Sequence, residues 1–197
     1  MKYINKIRET LSGEGFPVFS ISDLKVTLIS DGAKRNYAYT LLHNMSAKKE
    51  IIRITRGTYT FHREVRVVGF AFNPFYYGLE DALSIRGIWE QGSNPVIITR
   101  KRIRSGTRKF IDRNYVLHRI DKRHFFGYEL LKLGNLWIPV SDMEKTLIDF
   151  VYFKHHLRAD VLSDMKKKVE MKKLKEYLDL YDGRFSHKVL RLLDQAK

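Results

Sequence analysis

The chain has 197 residues, 44% of them hydrophobic and 13% aromatic, which supports an ample core and excludes a disordered protein. Thirty-seven Lys and Arg against 22 Asp and Glu leave a charge of +15, a field suited to a polyanionic partner. The absence of cysteine excludes disulfide and thiolate chemistry and fits a reducing interior. The N-terminal MKYINKIRETL has no apolar core of signal-peptide length, and no segment approaches the roughly 20 apolar residues of a membrane span. The expectation is a cytoplasmic protein without a membrane partner.

In chain order, Ile4, Ile7 and Leu11 recur at helical spacing, and Ser12-Gly13-Glu14-Gly15 ends that helix. FPVFS supplies a short strand or an extended lead-in. Ser20 or Ser22 then caps a second helix, SDLKVTLI, with Leu24 and Leu28 on one face. SDGAKR is a tight turn of the kind that joins a helix-turn-helix, and a third helix runs from about Ala33 to Met45. KKEIIRITRGTYTFHRE alternates with period two on both sides of Gly57 and reads as a hairpin. Helix, helix, helix, hairpin is the order of a winged helix, assigned here to residues 1–66.

The remainder, residues 67–197, has another pattern. GLEDALSIRG is a short amphipathic helix closed by Gly87. Four β-rich runs follow: PVIITRKRI, RKFIDRNYVLHRI, FFGYELLKL and LWIPV, the last two joined by a Gly134-Asn135 hairpin turn. Ser141 with Glu144 three residues later forms a capping box for the helix SDMEKTLIDFVYF. The last 39 residues read as two or three basic amphipathic helices split at Asp182-Gly183. The expected fold class is therefore α+β: an N-terminal winged helix-turn-helix, then a mixed α+β domain with an antiparallel sheet and C-terminal helices.

The third helix carries the candidate interface. Ala38, Leu41, Leu42 and Met45 form one apolar stripe, and the opposite face holds Asn36, Tyr39, Thr40 and His43. Lys34 and Arg35 stand near its N-terminal end. In a helix-turn-helix this face enters the major groove, where Asn contacts adenine and Arg contacts guanine, while Lys, Arg and Tyr hold phosphates. In the hairpin, Ile52, Ile54 and Tyr59 are expected to pack inward, with Arg53, Thr55 and the tip projecting outward. Arg53 and Arg56 are then phosphate or minor-groove contacts, and Gly57 permits a positive φ or close backbone approach. A second basic cluster, Arg100, Lys101, Arg102, Arg104, Arg108 and Lys109, surrounds Ser105-Gly106 without an acid and reads as a charged hairpin or loop. It either extends a DNA footprint, binds RNA, or is simply solvated.

Three blocks, IIRITRGTYTF, YYGLEDALSIRGIWEQ and FFGYELLKLGNLWIPVSDMEKTLIDFVYF, resemble the AbiEi-type family of type IV antitoxins and transcriptional regulators, over about residues 1 to 158. The resemblance implies a repressor that autoregulates a two-gene operon and opposes a nucleotidyltransferase-like toxin without a stable complex. It implies a winged helix on operator DNA and a second domain required for antitoxicity. It brings no catalytic residues and no cofactor. Glu144, Lys145 and Asp149 match its EKtLlD block, which we read as structural.

Enzyme chemistry finds no complete constellation. Gly92-Ser93 is followed by no paired aspartates for two metals. Glu170-Met171-Lys172 has nuclease-like spacing but lies in a helical lysine-rich run without a preceding strand. His155 and His156 point about 100° apart on a helix. His118 and His124 are isolated in sequence, and zinc lacks its usual ligand set. Two function classes stay open: a sequence-specific DNA-binding regulator, as an antitoxin or without a toxin partner, and an RNA-binding or protein-interaction module.

Overall fold

The structure is a computed structural model and describes residues 2–11, 17–30 and 37–195. The chain forms two compact units, one of residues 1–73 with 110–113 and 134–136, the other of residues 74–109, 114–133 and 137–197. The fold is α+β, with an antiparallel sheet in the first unit and a mixed sheet with helices in the second.

The first unit runs α1 (Lys2–Leu11), β1 (Phe19–Ser20), α2 (Ile21–Ser30), α3 (Tyr37–Ala47), β2 (Ile52–Thr55) and β3 (Thr58–Thr60). Ile7 and Leu11 of α1 join Leu24 and Leu28 of α2 and Ala38, Leu41 and Met45 of α3 in one core with Phe19. The helix stop at Ser12-Gly13-Glu14-Gly15, the SDGAKR turn and the start of the third helix at Ala33 lie outside the described residues. FPVFS does yield a strand, and Phe19 pairs with Tyr59 so that the strand order is β1-β3-β2.

Ser20 is the cap of α2. Its Oγ accepts from the backbone N–H of Ser22 at 3.1 Å and of Asp23 at 3.2 Å, while the Asp23 carboxylate accepts from Ser20 N–H at 2.7 Å. This reciprocal box satisfies donors that the first helical turn cannot. Ser20→Ala should therefore lower stability by about 1 kcal/mol in urea unfolding, and Ser22→Ala by much less.

The hairpin turns at Arg56-Gly57. Gly57 has φ +79, and a Cβ there would meet nothing within 4 Å, so backbone conformation and not crowding calls for glycine. The expected inward face of the hairpin needs correction. The register shifts between Arg53 and Thr55, and the residue that reaches the core is Ile51. Ile52 and Ile54 are only half-buried, because a shifted register breaks the strict period of two; Tyr59 does pack on the core.

The second unit contains β4 (Phe75–Tyr77), α4 (Leu79–Ile85), β5 (Val96–Thr99), β6 (Gly106–Phe110), β7 (Arg113–Arg119), β8 (Tyr128–Leu133), β9 (Leu136–Ser141) and α5 (Met143–Tyr152), except for one end residue each of β6, β7 and β9. Three more helices follow: α6 (Ala159–Lys168), α7 (Met171–Leu178) and α8 (Gly183–Asp194). Gly87, at φ +71, follows the α4 C-cap as expected, and Gly134 turns the β8–β9 hairpin at φ +58. The basic C-terminal run is three helices, and Asp182 caps α8 by accepting from Phe185 N–H at 2.9 Å.

The strand order is β6-β7-β5-β4-β9-β8. The expected antiparallel sheet is wrong in kind. Only β4–β5 is recorded antiparallel across its interior, whereas β5–β7 and β4–β9 are parallel, so the sheet is mixed. Hairpin signals report neighbours joined by tight turns and are silent on crossovers. The buried central strand β4 has three residues, too few to show a period, and was missed.

The same order decides between hairpin and loop around Ser105-Gly106 in favour of the loop. Because β7 lies beside β5, the chain leaving Thr99 must cross past β7 to reach the outer strand β6. Residues 100–105 are that connection, and the β6–β7 turn comes later, at Ile111, whose φ is +54.

The cap of α5 is Asp142 and not Ser141: its carboxylate accepts from Lys145 N–H at 2.8 Å. Ser141 ends β9, its hydroxyl 2.7 Å from Thr146 Oγ1. Tyr76, Ile98, Leu147, Phe150, Met165, Leu174 and Val189 belong to one core that joins the sheet to α5–α8.

Candidate nucleic-acid interface

On α3, Tyr39, Thr40 and His43 all face solvent, with Tyr39 58% exposed, while Leu42 is half-buried beside the apolar stripe. Lys34, Arg35 and Asn36 lie outside the described residues. Tyr39 is held by a residue that the sequence reading missed. Lys25 on α2 reaches its hydroxyl at 2.9 Å, with the ammonium 4.4 Å from the ring centroid. The exposed ring is thereby oriented and given a cationic neighbour. No local signal pairs Lys25 with Tyr39, because the contact depends on how α2 packs against α3.

A groove runs between α3 and the β2–β3 hairpin, with Tyr39, His43 and Ser46 on one wall and Arg53 and Tyr59 on the other. Arg53 is exposed, and its Nε donates to Thr55 O at 3.3 Å, which lays the guanidinium along the strand. Arg56 is exposed at the turn. The fold thus brings five of the eight residues chosen from sequence, Tyr39, Thr40, His43, Arg53 and Arg56, to the surface of one unit.

The second cluster divides. Arg100, Lys101, Arg102, Arg104 and Lys109 are exposed, but Arg108 is half-buried and donates to Arg104 O at 3.1 Å. Arg108 also lies against Tyr115, whose hydroxyl burial pushes up and the guanidinium draws part of the way back. Ser105 Oγ accepts from Arg119 N–H at 3.2 Å and pins the connection to β7. Arg119, exposed at the end of β7, adds a basic residue to this unit beyond those selected.

The segment 144–149 is a buried frame. Lys145 and Asp149 are fully buried and ion-paired, and Tyr76 donates to the other Asp149 oxygen at 2.9 Å. Burial pushes Asp149 up and Lys145 down, and each partner's charge opposes the shift. Glu144 accepts from Glu170 N–H at 2.7 Å and pairs with Lys173 at 3.3 Å. Lys173 also meets Asp142 at 3.0 Å, and Tyr177 donates to Asp142 at 2.8 Å. Desolvation and that carboxylate push the Tyr177 hydroxyl up to about 12. Glu170, the first member of the nuclease-like spacing, is the N-cap of α7.

The histidines are less isolated than the sequence suggests. His118 packs against Phe153, and its ring centroid lies 5.2 Å from that of His155, which in turn contacts Glu80 at 3.2 Å. Desolvation and the neighbouring His155 hold His118 below the usual imidazole range. His124 stacks on Tyr181 at 4.1 Å. Among the described residues no group of three or more His, Cys, Asp or Glu is arranged to hold a metal, and no helix is long and apolar enough to cross a membrane.

No protein-family model and no curated protein matches the chain. Among solved structures, the crystal structure of the RV2827C protein from Mycobacterium tuberculosis is similar, with a TM-score of 0.68 at 13% identity. The likeness covers 100% of this chain and 78% of that one, and at such low identity it is a likeness of fold.

Proposed function

We propose that this protein is a sequence-specific DNA-binding transcriptional regulator of the cytoplasm, with a winged helix in its first unit. The observation that carries the reading is the order α1-β1-α2-α3-β2-β3, joined to an exposed polar face on α3 and a basic hairpin turn. On this reading α2 and α3 are the helix-turn-helix, and α3 enters the major groove. Tyr39 and Lys25 hold the backbone, as do Arg53 and Arg56 from the wing. The net charge of +15 supplies the sequence-independent part of the affinity.

The resemblance of the three blocks to AbiEi-type proteins narrows the proposal to an autorepressing antitoxin. Its functional counterpart would be a nucleotidyltransferase-like toxin that it opposes without a stable complex. A growth-rescue assay against a nucleotidyltransferase-like toxin, its gene sought beside this one, tests that narrower claim.

Selection from random duplexes, followed by competition against RNA of equal charge, tests the broader one. A selected duplex that binds no tighter than the RNA would overturn it. Arg53→Ala with Arg56→Ala should weaken all duplexes alike, since wing contacts fall on phosphates. The slope of log K against log salt should drop by about 0.9 for each lost contact, or about 1.8 for the pair. An unchanged slope would take the wing off the DNA.

A further inference from the structure

The two edges of the six-stranded sheet differ in a way that the DNA-binding reading does not use. The β6 edge carries Arg108 and Lys109 and is entered through Arg100, Lys101, Arg102 and Arg104. Charge of that density protects an edge against strand addition. The β8 edge is less protected, with Lys132 its one lysine. Its sequence, YELLKL, has no proline and no glycine, and among the described residues no strand pairs with its outer side. Leu130 is 63% exposed, Tyr128 42% and Leu133 37%, and Trp137 on the adjoining β9 is 58% exposed. A largely apolar edge with so little charge is a template for another strand.

We propose that this edge pairs with the β8 edge of a second copy of the chain, antiparallel about a two-fold axis at Leu130. The two-residue turn Gly134-Asn135 makes Leu133 and Leu136 a hydrogen-bonded pair. Tyr128, Leu130 and Lys132 therefore aim their backbone N–H and C=O groups at the free edge. A two-fold axis normal to the sheet sets Leu130 opposite Leu130 and Tyr128 opposite Lys132, so the free backbone groups meet one another in register. The side-chain charges agree with this pairing. The two Lys132 residues stand four positions apart, about 13 Å. Glu129 points its charge at Arg86 of its own copy, at 2.7 Å.

The high net charge does not forbid self-association. The basic β6 edge is five strands away from β8, about 24 Å, against a screening length of about 8 Å at physiological salt. A strongly acidic or basic partner would find little complement on this edge, where Glu129 is already paired with Arg86 and Lys132 is the one other charge. A second copy does.

The test uses the full chain without nucleic acid, so its outcome is independent of DNA binding. In sedimentation velocity the wild type should show a reversible monomer–dimer equilibrium. Leu130→Glu should weaken it by about 100-fold or more, because like charges would be directly apposed at the axis. Leu130→Lys alone should do the same, and mixing the two variants should restore a dimer. The chain has no native cysteine, so single cysteines report cleanly. Leu130→Cys should cross-link to itself on oxidation, since facing residues at that position lie about 5.5 Å apart. Leu133→Cys, which falls opposite Gly127, should not. Leu130 is exposed, so circular dichroism of each variant should match the wild type. A wild type that stays monomeric, a dimer unmoved by Leu130→Glu, or equal cross-linking at both positions would overturn the proposal.

Discussion

Lys145→Met should cost about 3–5 kcal/mol of folding stability, the expected result of removing one partner from a buried ion pair. Lys145 and Asp149 are both fully buried, so the carboxylate left behind has no solvent to replace the ammonium. Tyr76 would still donate to it at 2.9 Å, but a hydroxyl cannot balance a full charge. The double variant Lys145→Met with Asp149→Leu should recover most of the loss. It removes both charges and leaves only the Tyr76 hydroxyl unsatisfied, worth about 1–3 kcal/mol.

The loss should also depend on pH in one direction. Burial already raises Asp149, and loss of Lys145 raises it further. For a group whose pKa is higher folded than unfolded, the favourable contribution is fully present below the unfolded value, and it disappears as pH rises through the folded value. The deficit of Lys145→Met relative to wild type should therefore be larger at neutral than at mildly acidic pH. It should shrink as acidification protonates Asp149 above the ordinary carboxylate range. Urea unfolding at neutral and mildly acidic pH measures this. A deficit that grows on acidification would mean that Asp149 is ionised by some other group.

Gly127→Ala is the second large effect, expected at about 2–4 kcal/mol. The residue has φ +69, which costs about 1 kcal/mol or more for an L side chain. Its Cβ would also lie 2.8 Å from Lys145 Cβ and 2.9 Å from Tyr177 Cε2. Those neighbours belong to the buried frame, and overpacking there adds about 1–3 kcal/mol. Gly134→Ala is the matched control: φ is +58, but nothing lies within 4 Å of the added Cβ. It should cost only the backbone part, about 1 kcal/mol. Equal losses in thermal or urea unfolding would show that crowding at Gly127 plays no part.

Gly127 also marks where reading a sequence reaches its limit. The FFG run is visible as letters, yet the need for glycine comes from Lys145 and Tyr177, which only the packed fold brings to it. What the sequence determined by itself was local. Helical periodicity placed α2 and the apolar stripe of α3, alternation around Gly57 placed the β2–β3 hairpin, and Gly134-Asn135 and Asp182-Gly183 marked a turn and a helix start. Each signal is written in residues a few positions apart, within reach of one turn of helix or one hairpin. The tertiary structure decided the rest. It chose Asp142 over Ser141 as cap, drew Glu144 to the distant Glu170 and Lys173, set His118 against His155, and made a stretch that read as basic hairpin or loop into a crossing connection. These outcomes depend on which strands become neighbours across the mixed sheet. That choice is made by burial and long-range pairing, whose partners leave no periodic trace along the chain.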